Sequence, residues 1–319
     1  MKKQAKTAAR IICFALVLFV LLFGASLLFE PKSNTKDAGM LDSTANGILS
    51  EPKNTIDVLI IGDSEAYSAF IPLKIWKDHG FTPYVCATSA QILCYSYEFL
   101  EKTFQNQRPK VVMLETNAIY RSFTYSDVLM QKLSEKLSVF RYHNRWKTLS
   151  FRDWSFGVDL SNTEINKGYI YNNKISPADA KGYMRPTKMK ERFPDKNRAY
   201  AEKINKLCES NGAKLVLVST PSVKNWDMRK HNAIDEFSSR LGCDYIDMNA
   251  LRKEICIDWS TDTRDKGDHM NFDGALKVSS FLGNYLEKLD VFEDKRNNKD
   301  YAQWNNAVKT FTESIGKEL

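Results

Sequence analysis

The stretch Thr55-Ile56-Asp57-Val58-Leu59-Ile60-Ile61-Gly62-Asp63-Ser64-Glu65-Ala66-Tyr67-Ser68-Ala69-Phe70 decides how the chain is read. Its aliphatic run has no helical period, which suits a strand covered on both faces, and Gly62 lets the backbone leave that strand tightly. A turn of this kind sets the Ser64 hydroxyl at the carboxyl edge of a parallel sheet, where open α/β folds hold their ligands. Taken alone, these residues fit two descriptions: a serine nucleophile, or an ordinary strand-to-helix loop in which Ser64 caps the next helix.

Downstream, the same alternation repeats. A short helix over Ile71 to His79 ends at Gly80, and Tyr84-Val85-Cys86 is a second strand. Helical spacing runs from Gln91 to Gln105, and Lys110 to Glu115 is a third strand leading into Thr116-Asn117. A helix from about Arg198 to Asn211 precedes strand four, Lys214 to Ser219. A further helix, Asp227 to Leu241, precedes strand five, Asp244 to Asp247. Asp273 to Leu289 and Tyr301 to Ile315 are the last two helices. Strand, helix and strand in this order predict a parallel sheet with helices on both faces. The rhythm breaks between 122 and 197, where short helical patterns such as Ser126 to Leu137 occur and Phe140, Tyr142, Trp146, Phe151, Trp154 and Phe156 cluster. This reads as a helical insertion whose aromatics either wall a cleft or form a satellite core.

Ahead of the α/β pattern lies an apolar segment. From Ile11 to Phe29 no residue is charged, and at roughly 1.5 Å per residue a helix of that length spans about 28 Å, close to the hydrocarbon core of a bilayer. Lys2, Lys3, Lys6 and Arg10 flank it, which predicts a cytoplasmic N-terminus and an extracytoplasmic remainder. A cleaved signal peptide is the competing reading; its apolar core would be shorter and its cleavage site better marked than Gly24-Ala25-Ser26. The expected organisation is a tail over 1–10, an anchor over 11–29 and a linker over 30–54. An α/β domain over 55–290 with its insertion follows, then a C-terminal helix over 291–319.

The formal charge of the 319-residue chain is +7, of which the four basic N-terminal residues supply +4. The +3 that remains, with no basic stripe interleaved with aromatics, argues against a nucleic-acid partner. Six cysteines without CxxC spacing indicate neither a disulfide framework nor a zinc site, and no glycine-rich phosphate loop is present, so no metal and no cofactor is expected.

A serine nucleophile needs a base, and the base needs a carboxylate to orient it. Of four histidines, His269 is best placed: it lies in a polar loop ahead of a late helix, beside Asp268 and within one loop of Asp265 and Asp262. His79 reads as a surface residue and His231 as structural. His143, in Arg141-Tyr142-His143-Asn144-Arg145-Trp146, is placed to line a cleft with Arg145.

Gly62-Asp63-Ser64 after the first core strand, Asn117 at the end of a later one, and Asp268-His269 with Asn271 and Gly274 before the last core helix together resemble the SGNH or GDSL-type hydrolases. These are flavodoxin-like esterases and acyl-transfer enzymes, and the resemblance spans about Asp57 to Leu289. It implies Ser64 as nucleophile, His269 as base, and Ser64 N–H and the Asn117 side chain as oxyanion donors. Two positions depart from the pattern. Where the family often has a glycine donor the chain reads Ala87-Thr88-Ser89-Ala90-Gln91, so Ser89 is assigned there. Where it has aspartate three residues before the histidine the chain has Lys266, so Asp268 is preferred, with Asp265 the alternative. Asn271 joins His143 and Arg145 as an expected substrate-binding residue.

The N-terminal anchor and Asp-His-Met-Asn look more like the membrane-tethered branch that includes alginate-acetylation proteins and the D-alanyl transfer protein of teichoic acids. This resemblance implies an extracytoplasmic serine esterase or O-acyltransferase acting on cell-envelope polysaccharide, partnered by a membrane-bound O-acyltransferase. The alternative is a non-catalytic accessory protein that binds glycan through the same cleft.

Overall fold

Aliphatic strands alternating with amphipathic helices build one parallel sheet in the computed structural model, which describes residues 2–155 and 157–319. In chain order the first elements are α1 (Lys2–Phe29), α2 (Ser43–Asn46), β1 (Val58–Gly62), α3 (Ser64–Ala69), α4 (Pro72–His79) and β2 (Pro83–Ala87). Next come α5 (Leu93–Thr103), β3 (Val111–Glu115), α6 (Asn117–Tyr120), α7 (Tyr125–Lys136), α8 (Val139–Tyr142) and α9 (Asp195–Ser210). The chain closes with β4 (Lys214–Ser219), α10 (Met228–Leu241), β5 (Asp244–Asp247), α11 (Phe272–Glu287) and α12 (Ala302–Ile315).

The strand order is β2-β1-β3-β4-β5, all parallel, with Ile60 opposite both Val85 and Met113. This is the flavodoxin-like order, and its direction reverses between β1 and β3, which opens a crevice beyond the carboxyl ends of those two strands. Every residue of β1, β2 and β3 is buried, as runs without polar alternation require when helices cover both faces. Helices α3, α4, α11 and α12 pack together as one layer, and α5 packs with α9 as the other. Each fully buried aliphatic residue of the strands, such as Leu59 or Ile60, stabilises the sheet by about 1.5–3 kcal/mol.

The chain divides into two compact units, 1–43 with 123–162 and 44–122 with 163–319. Three expected boundaries change accordingly. The linker reads too long: from Thr44 onward it belongs to the α/β unit, where Ala45 and Ile48 are buried and Tyr84 Oη donates to Thr44 O at 2.9 Å. The insertion also shortens, because 163–197 is part of the α/β unit through buried Lys167, Tyr169, Phe193 and Asn197. The C-terminal helix is not an appendage: Trp304 is fully buried in α12, 5.4 Å from Trp76. His79, expected at the surface, is tucked against Gly283 and stacks on Phe81.

In the first unit, α1 is long and apolar enough to cross a membrane. Ile11 to Phe23 are largely exposed, whereas Ser26 is buried among residues of the insertion. Ser138 Oγ donates to Ser26 O at 2.7 Å and Val139 N–H donates to Ser26 Oγ at 3.2 Å. The expected aromatic cluster is mostly open: Trp146, Phe151 and Trp154 are exposed, and Phe156 lies outside the described residues.

One buried ion pair fastens the start of the α/β unit to its later segments. Lys167 Nζ lies 2.6 Å from Glu51 Oε1, both side chains wholly inaccessible, and the ammonium sits 4.9 Å from the Trp304 ring centre. Burial pushes the Glu51 carboxyl above its ordinary value, and the Lys167 charge only partly offsets this. Breaking such a pair costs more than omitting it. Lys167→Met should therefore destabilise the chain by about 3–5 kcal/mol, and adding Glu51→Gln should recover much of the loss, as denaturant unfolding of the detergent-solubilised protein would measure.

Candidate active site

β1 ends at Gly62, and Asp63 becomes the N-cap of α3, its Oδ1 accepting from Glu65 N–H at 3.0 Å. Ser64 is therefore the first residue of the helix and not its cap. It is 8% exposed at the carboxyl edge of the sheet. Gly62 is required for packing: a Cβ there would stand 2.6 Å from Glu115 Cβ on the neighbouring strand.

The loop before α11 brings His269 to Ser64. His269 Nε2 lies 2.8 Å from Ser64 Oγ, and Nδ1 lies 2.7 Å from Asp265 Oδ2. Since Asp265 accepts at Nδ1, that nitrogen carries the proton and Nε2 is left as the acceptor for the serine hydroxyl. Asp265 Oδ1 also accepts the His269 backbone N–H at 2.7 Å. Asp268, the carboxylate preferred on sequence, stands 3.8 Å from Nδ1 and is engaged by Asn225 Nδ2 at 2.6 Å. The correction has a backbone cause. Lys266 (φ +63) and Gly267 (φ +84) are both left-handed, and this turn folds Asp265 back beneath the ring four residues on. A Cβ on Gly267 would also meet Val223 and Ala178 carbons at 2.8 and 2.9 Å. Thr263 Oγ1 accepts from Gly267 N–H and donates to His269 O, closing the loop on itself.

Asn117 opens α6 just beyond β3, and its Nδ2 donates to Asp63 Oδ2 at 3.0 Å, so the residue stands against the one that precedes Ser64. Arg121 forms an ion pair with the same carboxylate oxygen. Ser89 is exposed in the turn after β2. Of the three residues expected to bind substrate, two are buried and engaged elsewhere. Arg145 is buried in the first unit, paired with Asp153 and donating to Phe29 O at 2.7 Å, so its guanidinium is committed to structure. Asn271 caps α11, accepting from Gly274 N–H and donating to Thr261 O at 2.6 Å, and is 1% exposed. His143 is exposed, with Nδ1 on Phe140 O at 3.1 Å.

Sequence reading missed Glu65 and Asn225. Asn225 Nδ2 donates to Glu65 Oε1 at 2.7 Å as well as to Asp268, joining the residue after Ser64 to the residue before His269. The one available signal was position: Ser222-Val223-Lys224-Asn225 is the loop at the carboxyl end of β4. Glu65 and Glu115 are both fully buried, and desolvation together with the neighbouring Asp63 charge pushes each carboxyl well above its usual range. Glu65, Asp268 and His269 present ligand atoms within 4.8 Å of one another. Both ring nitrogens of His269 are already engaged and Asn225 bridges the two carboxyls, so a cation here would have to displace the contact to Ser64 or to Asp265.

His231, read as structural, binds Asp247 through Nδ1 at 2.6 Å, away from Ser64, and Trp226 Nε1 donates to the same carboxylate oxygen at 3.1 Å.

No family model matches this sequence, and no curated protein does. Solved structures similar to the chain include a GDSL-like lipase from Bacteroides thetaiotaomicron, at 11% identity over 77% of this chain and 99% of that one, TM-score 0.38. A lipase/acylhydrolase from Enterococcus faecalis shares 10% identity over 73% and 97%, TM-score 0.39. The esterase EstA of a Pseudoalteromonas species shares 9% over 73% and 97%, TM-score 0.38. At this level of similarity none of them defines the chemistry of this chain.

Asp265 is drawn upward by partial burial, but hydrogen bonds from the His269 backbone and ring, with the Arg264 charge, hold its carboxyl below the ordinary value. A carboxyl depressed on folding stabilises the native state fully above its unfolded value, about pH 4, and loses that contribution as pH falls through the lower folded value. Asp265→Asn should flatten this part of the acid-unfolding curve, followed by circular dichroism below about pH 4.

Proposed function

We propose that the chain is a serine acyl-ester hydrolase or O-acyltransferase of the SGNH/GDSL type. In this reading α1 holds it on the outer face of the cytoplasmic membrane, and it acts on acyl esters of cell-envelope polysaccharide. The observation that carries the reading is the line from Ser64 Oγ to His269 Nε2 at 2.8 Å and from Nδ1 to Asp265 at 2.7 Å. The substrate class follows from placement, since an enzyme tethered outside the membrane meets glycans and lipid headgroups first. A membrane-bound O-acyltransferase is the partner that the sequence resemblance suggests.

Ser64 Oγ attacks the acyl carbonyl carbon while its proton passes to His269 Nε2, and Asp265 stabilises the imidazolium. The carbonyl electron pair moves onto oxygen, where this reading assigns the Ser64 N–H and the second N–H of Asn117 Nδ2 as donors. The first Asn117 N–H is already held by Asp63, which fixes the amide plane before substrate arrives. The tetrahedral adduct collapses as the bond to the alcohol oxygen breaks and His269 returns its proton to that oxygen. Water or a sugar hydroxyl then attacks the acyl-serine by the reverse sequence, giving hydrolysis or transfer.

One observation favours a second reading, a glycan-binding accessory protein: Ser89, the residue assigned as a further donor, is exposed in its turn. A fluorophosphonate probe separates the two. Labelling that disappears in Ser64→Ala identifies an active nucleophile, and folded protein that takes no label supports the accessory role. Ser64→Ala and His269→Ala should each lower hydrolysis of a small acyl ester about 10³-fold or more. Asp265→Asn should fall by about 10⁴ through the wrong tautomer, with Asp268→Asn far less affected; equal losses at the two aspartates would refute the assigned orienting role.

A further inference from the structure

The carboxyl-terminal turns of α1 are built into the first unit. Arg145 and Asp153 form a buried ion pair; Arg145 donates to Phe29 O, Lys32 Nζ to Leu27 O and Ser138 Oγ to Ser26 O. The same pair fixes the turn Phe151–Trp154, whose capping box joins Ser150 and Asp153 in both directions. Trp154 is thereby set against α1, lining with Val20, Leu21, Gly24 and Leu28 a groove of about 520 Å³.

Depth follows from the sequence. If the hydrocarbon begins at Ile11, a helix rising about 1.5 Å per residue crosses roughly 30 Å near Glu30, so Val20 to Leu28 lie in the outer part of the span. Phe151 (94% exposed) and Trp154 (70%) sit at that level on a rigid turn, and Trp146 (63%) lies on the neighbouring one. Between Ser138 and Ser155, Arg141, Arg145, Lys147 and Arg152 face one acidic residue, Asp153. Exposed large aromatics with cations between them, beside the end of an apolar helix, have the composition of a membrane-interface belt.

We propose that residues 138–155 form a collar seated in the outer leaflet. In this arrangement Phe151, Trp154 and Trp146 enter the headgroup and upper acyl region, Lys147 and Arg152 meet lipid phosphates, and an acyl chain fills the groove beside α1. The occupant is phospholipid, because the groove is walled on one side by α1 itself. The inference rests on the reading of α1 as a retained anchor.

The full chain in nanodiscs made with phospholipids brominated on the upper acyl carbons tests it through tryptophan fluorescence. With Trp259, the half-buried sixth tryptophan packed on Tyr183, replaced by Phe throughout, bromine should quench part of the emission, and Trp146→Phe with Trp154→Phe should abolish the quenched part, because the remaining Trp76, Trp226 and Trp304 are buried in the protein. Trp146 and Trp154 are both exposed, so that pair of substitutions should leave folding unaffected. Absence of quenching, or quenching unchanged in the double variant, overturns the collar. The mass of the protein isolated from membranes reports separately on the anchor: loss of the first 25 to 30 residues, counted from about the small residues near Ser26, would overturn anchor and collar together, whereas an intact chain without quenching sinks the collar alone.

Discussion

The Asp63 carboxylate is the constraint on which the site depends. It has no accessible surface, caps α3 through one oxygen, and through the other binds Asn117 Nδ2 and Arg121. It thereby ties the end of β1 to the start of the segment beyond β3, across the point where strand order reverses. A buried carboxylate must be fully paired to be tolerated, so the two elements that satisfy it, α3 and α6 with its C-cap Arg121, are held together at the position of Ser64. Glu65 and Glu115 share the space behind it. Burial and the neighbouring carboxyl charges push both of their carboxyls well above the usual range.

Much of the fold was legible because the aliphatic runs are short, unbroken and bounded by glycine, proline or charged residues. Strands read at Tyr84-Val85-Cys86 and at Lys214 to Ser219 lie within or match the observed elements. Ser64 and His269 were legible because each falls at a strand or helix boundary on the same sheet edge. The carboxylate that lies on His269 Nδ1 was not. Adjacency made Asp268 the natural partner of His269, but neighbouring residues on an extended backbone point apart, and only two successive left-handed residues reveal that Asp265 returns to the ring. Asn225 and Glu65 were invisible for a related reason: their meaning lies in a bridge across 160 residues, and neither belongs to a local motif.

The segment over 122–197 reads as one insertion because the strand–helix rhythm breaks across all of it, yet it divides. Its later part supplies Lys167 to the core of the α/β unit, and its earlier part packs with α1. Neither half has a strong period. Their allegiance is set by single polar contacts, Glu51 to Lys167 and Asp153 to Arg145, and such contacts leave no periodic trace in sequence.

Arg145 gives the apolar N-terminal helix a second meaning. Its guanidinium is almost sealed from solvent, and one of its acceptors is the carbonyl of Phe29, the last residue of α1. A soluble version cut after that helix would leave a cation buried beside severed backbone, and the turn bearing Phe151 and Trp154 would lose its foundation. The helix is thus a template on which the adjoining segment is shaped, and the boundary between its exposed apolar stretch and its buried carboxyl-terminal turns runs through the middle of one compact unit.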